Sequence, residues 1–563
     1  MGEVFVTTTG PDDPHDRLLL RRQQLTDSLS QHPYDLILYL QRAIIYIDLA
    51  YQDLAAGDAY RALLLADDIL DEGAEYHKQA SDALEAHLTD SLPAVLQYGA
   101  LGTPPAMDSD DEMETEGIGA RTRWLARLAS IRSFQILSMS LLLVGCLKSA
   151  HSFCQRGLDA APNNRELQNT MNHIMRVSRL KLQNQDISVD DLPDWGLARR
   201  EVYPWNSNEP DRYSDETLDI LNTHLRNVAP KCSVEVAELP VLLEGASDTD
   251  GYEIIPTCRQ LGLFAKEEIA PGEAVLREYS LLTANNRYKD MVCDACSSEL
   301  PRLGTNSTAV NCPECYDTVF CSQFCFEQAQ ERYHPAVCDR DVDTIARDPD
   351  FKEADERLHL LLLARLLAIS THKAIHPLEV LEVKYIWGDF VPSASNDINI
   401  SPNAGPPPEW TLPFSFDHNI RLPMHFLEKM GIDIYDTLES HDLWVMNTLY
   451  AKFRGTASAR KNPRDGRPDV AAVHPLWCLA NHDCDPNVSW DWGGHMVLRA
   501  REERVVDERP GGIRQGDEIL NHYCDVSLPV HLRREWARGS LGGWCMCDRC
   551  RQESAAVNGM VLN

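Results

Sequence analysis

Between residues 293 and 338 of this 563-residue chain, eight metal-ligating side chains stand in four close pairs: Cys293-x2-Cys296, Cys312-x2-Cys315, Cys321-x3-Cys325 and His334-x3-Cys338. No other stretch narrows the accessible folds as far. A pair at such spacing bends both side chains onto one Zn2+, with Zn–S bonds of about 2.3 Å, and eight ligands fill two tetrahedral sites. So short a segment has little apolar material for a core and would be unfolded without metal. The chain has 17 cysteines in all. Disulfides are their other common use, yet clustered short spacings in a reducing compartment point to metal. The first residues show no charged start followed by an apolar segment that would mark secretion, so a location in the nucleus or cytoplasm is expected.

Two further segments carry chemistry. Leu479 to Val488 reads LANHDCDPNV, and about 35 residues on comes Gly516-Asp517-Glu518-Ile519-Leu520-Asn521-His522-Tyr523. Later, Trp544-Cys545-Met546-Cys547-Asp548-Arg549-Cys550 offers three more thiols at Cys-x-Cys-x2-Cys spacing. Upstream, residues 257–276 change to short strand-like runs with turns, Leu261-Gly262-Leu263-Phe264-Ala265 and Ala270-Pro271-Gly272-Glu273-Ala274-Val275-Leu276. Glycine in such a run suits close backbone approach because it lacks a Cβ.

These motifs, in this order, resemble the SET domain of methyltransferases, and the eight-ligand segment, with Phe320-Cys321-Ser322, resembles a MYND finger. A SET domain interrupted by a MYND finger is the arrangement of the SET and MYND family of protein-lysine methyltransferases, and the resemblance covers roughly residues 255–552. It implies a threaded crossing where the two catalytic motifs meet, an exception to unknotted chains. It also implies S-adenosylmethionine as methyl donor, bound by Leu261, Gly262, Asn447, Asn481, His482 and Tyr523, with Tyr523 the catalytic tyrosine. Three structural Zn2+ follow from the same resemblance. In the finger the pairs alternate, so Cys293, Cys296, Cys321 and Cys325 take one ion and Cys312, Cys315, His334 and Cys338 the next. Cys484 joins Cys545, Cys547 and Cys550 around the third. The plainer readings are a core tyrosine at 523 and a surface asparagine at 447.

Some positions depart from the family pattern. Gln260 stands where a first glycine is usual, Asp483 where serine is common, and Leu541 and Gly543 where aromatic residues often close the lysine channel, with Trp544 beside them. Gln260, Leu541 and Gly543 carry the alternative to a lysine methyltransferase: a zinc-dependent interaction scaffold or transcription regulator with weak or no turnover.

Before residue 186 the pattern is helical. Leu36, Leu40, Ala43, Tyr46 and Ile47 share one face, and Leu54, Ala59, Ala62, Leu63 and Ala66 the next. This pair resembles tetratricopeptide helices, as does a second from Ser133 to Pro162 with Leu141, Leu142, Gly145, Ala150, Phe153 and Leu158. The two do not follow each other at the strict ~34-residue period, and a generic helical bundle is the plainer reading. An acidic insert at 103–119 is expected to be disordered. The most apolar run, Ile136 to Leu147, is shorter than the ~20 residues a bilayer requires. The net charge of −33 argues against a nucleic-acid-binding surface and suits a basic peptide.

The expected organisation is multidomain α+β: a tetratricopeptide-like helical region at 33–185, a connector at 186–254 with one helix near 214–228, and a mainly-β SET domain. The SET domain is divided into 255–292, the MYND finger at 293–338, a helical insert at 339–470, the catalytic part at 471–527 and a zinc-binding tail at 528–552. Within the insert, Phe351 to Ile369 reads as a leucine-rich amphipathic helix and Ser401 to Pro413 as a proline-rich surface loop. Expected partners are a lysine-bearing protein or peptide such as a histone tail, a proline-containing peptide at the finger and partner proteins at the helices. No membrane contact is expected, and a monomer is.

Overall fold

The computed structural model describes residues 13–88, 91–97, 111–183, 188–199, 201–240, 257–287, 291–302, 304, 307–315, 317–388, 411–462, 464–506, 509–541 and 544–561. They fall into two compact units, one within Met1–Glu201 plus Pro392–Met446, the other within Val202–Val391 plus Asn447–Asn563.

The first unit is helical. Helix Leu36–Asp48 starts at Asp35, whose carboxylate accepts from the Ile37 and Leu38 N–H groups and so satisfies donors that a first turn leaves unpaired. Leu36, Leu40, Ala43 and Tyr46 are buried, as are Leu54, Ala59, Ala62, Leu63 and Ala66 of helix Gln52–Leu70. Ile47, expected with them, is only half-buried. A second pair, Asp111–Val144 and Leu147–Ala160, turns at Gly145, whose φ of 98° suits a residue without a Cβ. The expectation of disorder through residue 119 is corrected here, because helix begins at Asp111; acidic residues favour the start of a helix, where the backbone dipole is positive. Residues 103–110 of that insert lie outside the described residues. The stretch Gly117–Val144 is long and apolar enough to cross a membrane by length and composition, but 72 % of its most apolar window is buried inside the protein, as in a core helix.

A buried ion network joins the helices to residues far along the chain. Arg42 donates from Nε and Nη2 to the two carboxylate oxygens of Asp58, at 2.7 Å each, and its Nη1 lies 3.2 Å from Asp442. Arg61 lies 3.4 Å from the same Asp442. Strand Thr411–Phe414 pairs antiparallel with Gly196–Arg199. Both observations correct the expected insert at 339–470: its stretch 411–446 packs with the N-terminal helices. They also correct the proline-rich loop, since 411–413 form strand; residues 401–410 lie outside the described residues.

The second unit is built of small antiparallel sheets. Val488–Trp492, Met496–Ala500 and Ala274–Glu278 form one, and Thr283–Asn285, Pro468–Ala472 and Ser458–Lys461 another. Strand Thr257–Ala265 pairs along its whole length with Cys232–Pro240. The segment 186–254 is therefore more than a connector, because it supplies that partner strand as well as helix Asp215–Val228. Leu225, Val234, Leu261, Leu263, Leu276, Leu498 and Ile519 share one core. Helix Ala354–Lys373 is not amphipathic as expected. Leu358, Leu360, Leu361, Leu362, Leu363, Leu366 and Leu367 are all buried, as befits a helix covered on every side.

Candidate active site and metal centres

The ligand-type residues converge into three four-membered groups: Cys293, Cys296, Cys321 and Cys325; Cys312, Cys315, His334 and Cys338; and Cys484, Cys545, Cys547 and Cys550. Ligand atoms within each group lie within 4.8 Å of one another. Tetrahedral coordination at Zn–S distances of about 2.3 Å puts sulfurs about 3.8 Å apart. The structure gives 3.8 Å for Cys296–Cys321, 3.6 Å for Cys321–Cys325, 3.8 Å for Cys312–Cys338, 3.9 Å for Cys484–Cys545 and 3.4 Å for Cys484–Cys550. Cys315 Sγ to His334 Nε2 is 3.7 Å. The donor sets thus fit Zn2+ in size and chemistry.

Local structure delivers these ligands. Two-residue strands Val310–Asn311 and Val319–Phe320 pair, and Ser322 caps helix Gln323–Arg332 by accepting from the Cys325 N–H. Beneath them, Asp294 accepts from Tyr333 Oη at 2.6 Å and from Arg365. Burial pushes its carboxyl up, but the Arg365 and Arg347 guanidinium groups outweigh that and hold it below the usual range. At the third group, Arg533 lies 3.6 Å from Cys550 Sγ, and Arg549 donates to the Cys484 carbonyl at 2.7 Å and to that of Val526 at 2.9 Å. Four thiolates around one Zn2+ would leave a net negative charge, which the nearby guanidinium groups would offset. Sequence reasoning did not single out Arg533 or Arg549, although Arg549 stands between two ligands.

The two motifs meet as adjacent parallel segments. Asn521 N–H donates to the Asn481 carbonyl and Asp483 N–H to the Asn521 carbonyl, both at 2.8 Å, and His482 bridges to Asn521. Asn487 locks the join: its Nδ2 donates to the Glu518 carbonyl and its Oδ1 accepts from the Leu520 N–H, both at 2.7 Å. Asn481 Nδ2 reaches the Leu261 carbonyl at 3.0 Å and Glu518 Oε1 at 2.7 Å. Burial raises the Glu518 carboxyl above its ordinary range. Gly262 makes the approach possible, since a Cβ there would stand 2.6 Å from Glu518 Oε1 and 3.1 Å from Asn481 Nδ2. Glu518, quoted in the motif without a role, is thus a member of the site.

Tyr523 is half-buried; its hydroxyl donates to the Ala480 carbonyl at 3.0 Å and its N–H to His482 Nδ1 at 3.0 Å. Desolvation pushes its phenol well above the ordinary value, aided by Cys478 and Glu518. Leu261, Gly262, Asn481, His482 and Tyr523 are therefore brought together. Asn447, on helix Leu443–Thr456, is buried and donates to Tyr203 Oη at 3.3 Å, so it is not a surface residue. Gln260 Oε1 accepts from its neighbour's Leu261 N–H at 3.2 Å and from Arg212. Asp483 accepts from the Asp485 N–H at 2.7 Å. Trp544 lies under the Arg534 guanidinium, 5.5 Å from ring to charge; Leu541 packs beside the third metal group, and Gly543 is outside the described residues.

Glu278 supports the first motif from below. Its carboxylate accepts from the Leu476 and Trp477 N–H groups at 3.0 and 2.8 Å, just before Leu479. Burial pushes its pKa from 4.5 up to about 7 against those two bonds. The folded state therefore binds this proton more readily than the unfolded state, and wild-type stability falls as pH rises from 4.5 to about 7. That loss is on the order of 3 kcal/mol. Glu278→Gln lacks this slope, so the melting-temperature advantage of wild type over the variant should shrink by several degrees between about pH 5 and about pH 8. Parallel thermal melts check it; an unchanged gap contradicts the assignment.

Comparison with known proteins agrees with this geometry. Residues 260–524 match the SET domain model. The histone-lysine N-methyltransferase SET5 of Eremothecium gossypii is 33 % identical over 87 residues, 15 % of this chain and 16 % of that protein. The mouse histone-lysine N-methyltransferase SMYD3 is 33 % identical over 82 residues, 14 % and 17 % of the two chains, and the human N-lysine methyltransferase SMYD2 32 % over 80 residues, also 14 % and 17 %. The matched stretch spans only about one sixth of the length of these relatives. The chain thus carries a SET domain over residues 260–524, with a four-cysteine group and a group of three cysteines and a histidine inside it, and is similar to lysine methyltransferases of this kind.

Proposed function

We propose that the chain is a protein-lysine N-methyltransferase. The observation that carries this reading is the single network joining Asn481, the Leu261 carbonyl beside Gly262, Glu518 and the Asn481–Ala480 backbone to Tyr523. S-adenosylmethionine would supply an electrophilic methyl group there, with Leu261, Gly262, Asn481, His482 and Tyr523 as its holders and Asn447 a further candidate. The fit is supported by buried donors without a partner among the described residues, Asn521 Nδ2, Trp477 Nε1 and Trp490 Nε1, since buried polar groups are nearly always paired and a polar ligand would satisfy them.

This chain's residues would bind and align. Trp477 and Trp490 pack edge to face, Trp490 stacks on His522, and Tyr523 follows directly. An attacking lysine, ordinarily protonated with a pKa of ~10.4, would shed its proton more readily where these rings shield it from water. Three structural Zn2+ at the three ligand groups would hold the finger and the tail. The acidic surface suits a basic, histone-like substrate; the finger suits a proline-containing peptide, and the tetratricopeptide-like helices suit partner proteins. A monomer in the nucleus or cytoplasm completes the reading.

The scaffold reading has one observation of its own. Gln260 Oε1 occupies the Leu261 N–H, a backbone donor that the glycine usual at that position leaves free. Calorimetric titration of S-adenosylmethionine into zinc-replete protein separates the two. Asn481→Ala should lose donor affinity at least about tenfold, since it releases both Leu261 and Glu518. Tyr523→Phe should keep most affinity while transfer slows by about 10²-fold, because only the alignment at Ala480 is lost. No binding by folded wild type overturns the enzyme reading in favour of the scaffold.

A further inference from the structure

The imidazole of His482 lies between Tyr523 and Cys484, and the direction of its bonds follows from the backbone. A peptide N–H only donates, and that of Tyr523 meets Nδ1 at 3.0 Å. Nδ1 is therefore the acceptor and the ring hydrogen is on Nε2. Nε2 lies 3.4 Å from Cys484 Sγ. The ligand atoms of His482, Cys484 and Cys524 also gather within 4.8 Å, which invites a three-ligand metal site. The tautomer argues against it: a metal on Nε2 would move the hydrogen to Nδ1, where it would face the Tyr523 N–H. A ligating histidine donates from its other nitrogen, and here that nitrogen accepts.

We infer that His482 is a positioning residue that ties the third metal centre to the active-site tyrosine, donating Nε2–H to the Cys484 sulfur while Nδ1 holds the Tyr523 amide. The inference rests on the reading that Cys484, Cys545, Cys547 and Cys550 hold Zn2+. A metal-bound thiolate is a charged acceptor, so this N–H···S bond is stronger than one to a neutral thiol. Arg533 beside Cys550 acts on the same cluster from another side. Loss of the tail ligands would leave Cys484 a weaker acceptor and free the ring that orients Tyr523, so docking of residues 545–550 is felt at the tyrosine backbone.

Two substitutions divide the ring's functions. His482→Asn keeps an acceptor where Nδ1 was and removes the donor to sulfur; His482→Gln keeps a donor where Nε2 was and removes the acceptor. Zinc release from the full chain is followed with a chelating dye. His482→Asn should weaken one ion of three by about 10- to 100-fold, the usual effect of losing such a partner, and leave two unchanged, while His482→Gln holds all three near wild type. Wild type loaded with 113Cd, its histidines labelled with 15N, gives a test that needs no variant: an Nε2–H tautomer with a small coupling from cadmium to that hydrogen supports the inference. Direct cadmium–nitrogen coupling, an Nδ1–H tautomer, or unaltered release from His482→Asn overturns it. A wild-type chain that holds only two ions overturns the third metal centre itself, and the inference with it, whereas three ions with unaltered release overturn the inference alone.

Discussion

Removing metal with a strong chelator is expected to unfold residues 291–338 and release the tail from 545 onward, while the helical unit stays folded. Structural zinc contributes apparent free energies of ~10–16 kcal/mol in small domains, and the regular structure of this segment is short. Its strands are two residues long and its helices are Gln323–Arg332 and His334–Val337. All twelve grouped ligands lie in the second unit. Hydrogen exchange before and after chelation should show protection lost in 291–338 and 545–561 and kept in 36–70. Retained protection in the Cys-rich segment would remove metal from its account.

Arg42→Ala is expected to destabilise the helical unit by about 3–5 kcal/mol, the range for a buried charge left without its partner. Arg42 is fully buried, with Asp58 and Asp442 at 1 % and 3 % exposure. Removing the guanidinium leaves both carboxylates to Arg61, which is 3.4 Å from Asp442 and 4.0 Å from Asp58 and so makes weaker contacts than Arg42 does. Chemical denaturation should show a lower midpoint with an unchanged slope. Arg21→Ala, where only exposed bonds of 3.4 Å are lost, should stay within about 0.5 kcal/mol of wild type. Equal effects of the two substitutions would show that the buried network is not what holds these helices.

Much of the site was legible because its chemistry is local. Cysteines two or three residues apart announce a metal whatever surrounds them, and the helical faces of 36–66 follow from periodicity. Glu518 and Asn487 were visible as letters of their motifs, but their bonds to Asn481 and Leu520 exist only once the two segments lie side by side. Arg212 and Gln260 found each other across 48 residues, a pairing no local pattern records.

From sequence alone came the ligand inventory, the two motifs and their order, and the helical start, all properties of spacing within a few residues. Tertiary structure decided that 411–446 pack with the N-terminal helices and that 232–240 supply a strand to the sheet carrying Gly262. Those outcomes depend on burying charge and pairing backbone between segments up to about 380 residues apart, as Arg61 and Asp442 are, and short-range pattern carries no term for such contacts.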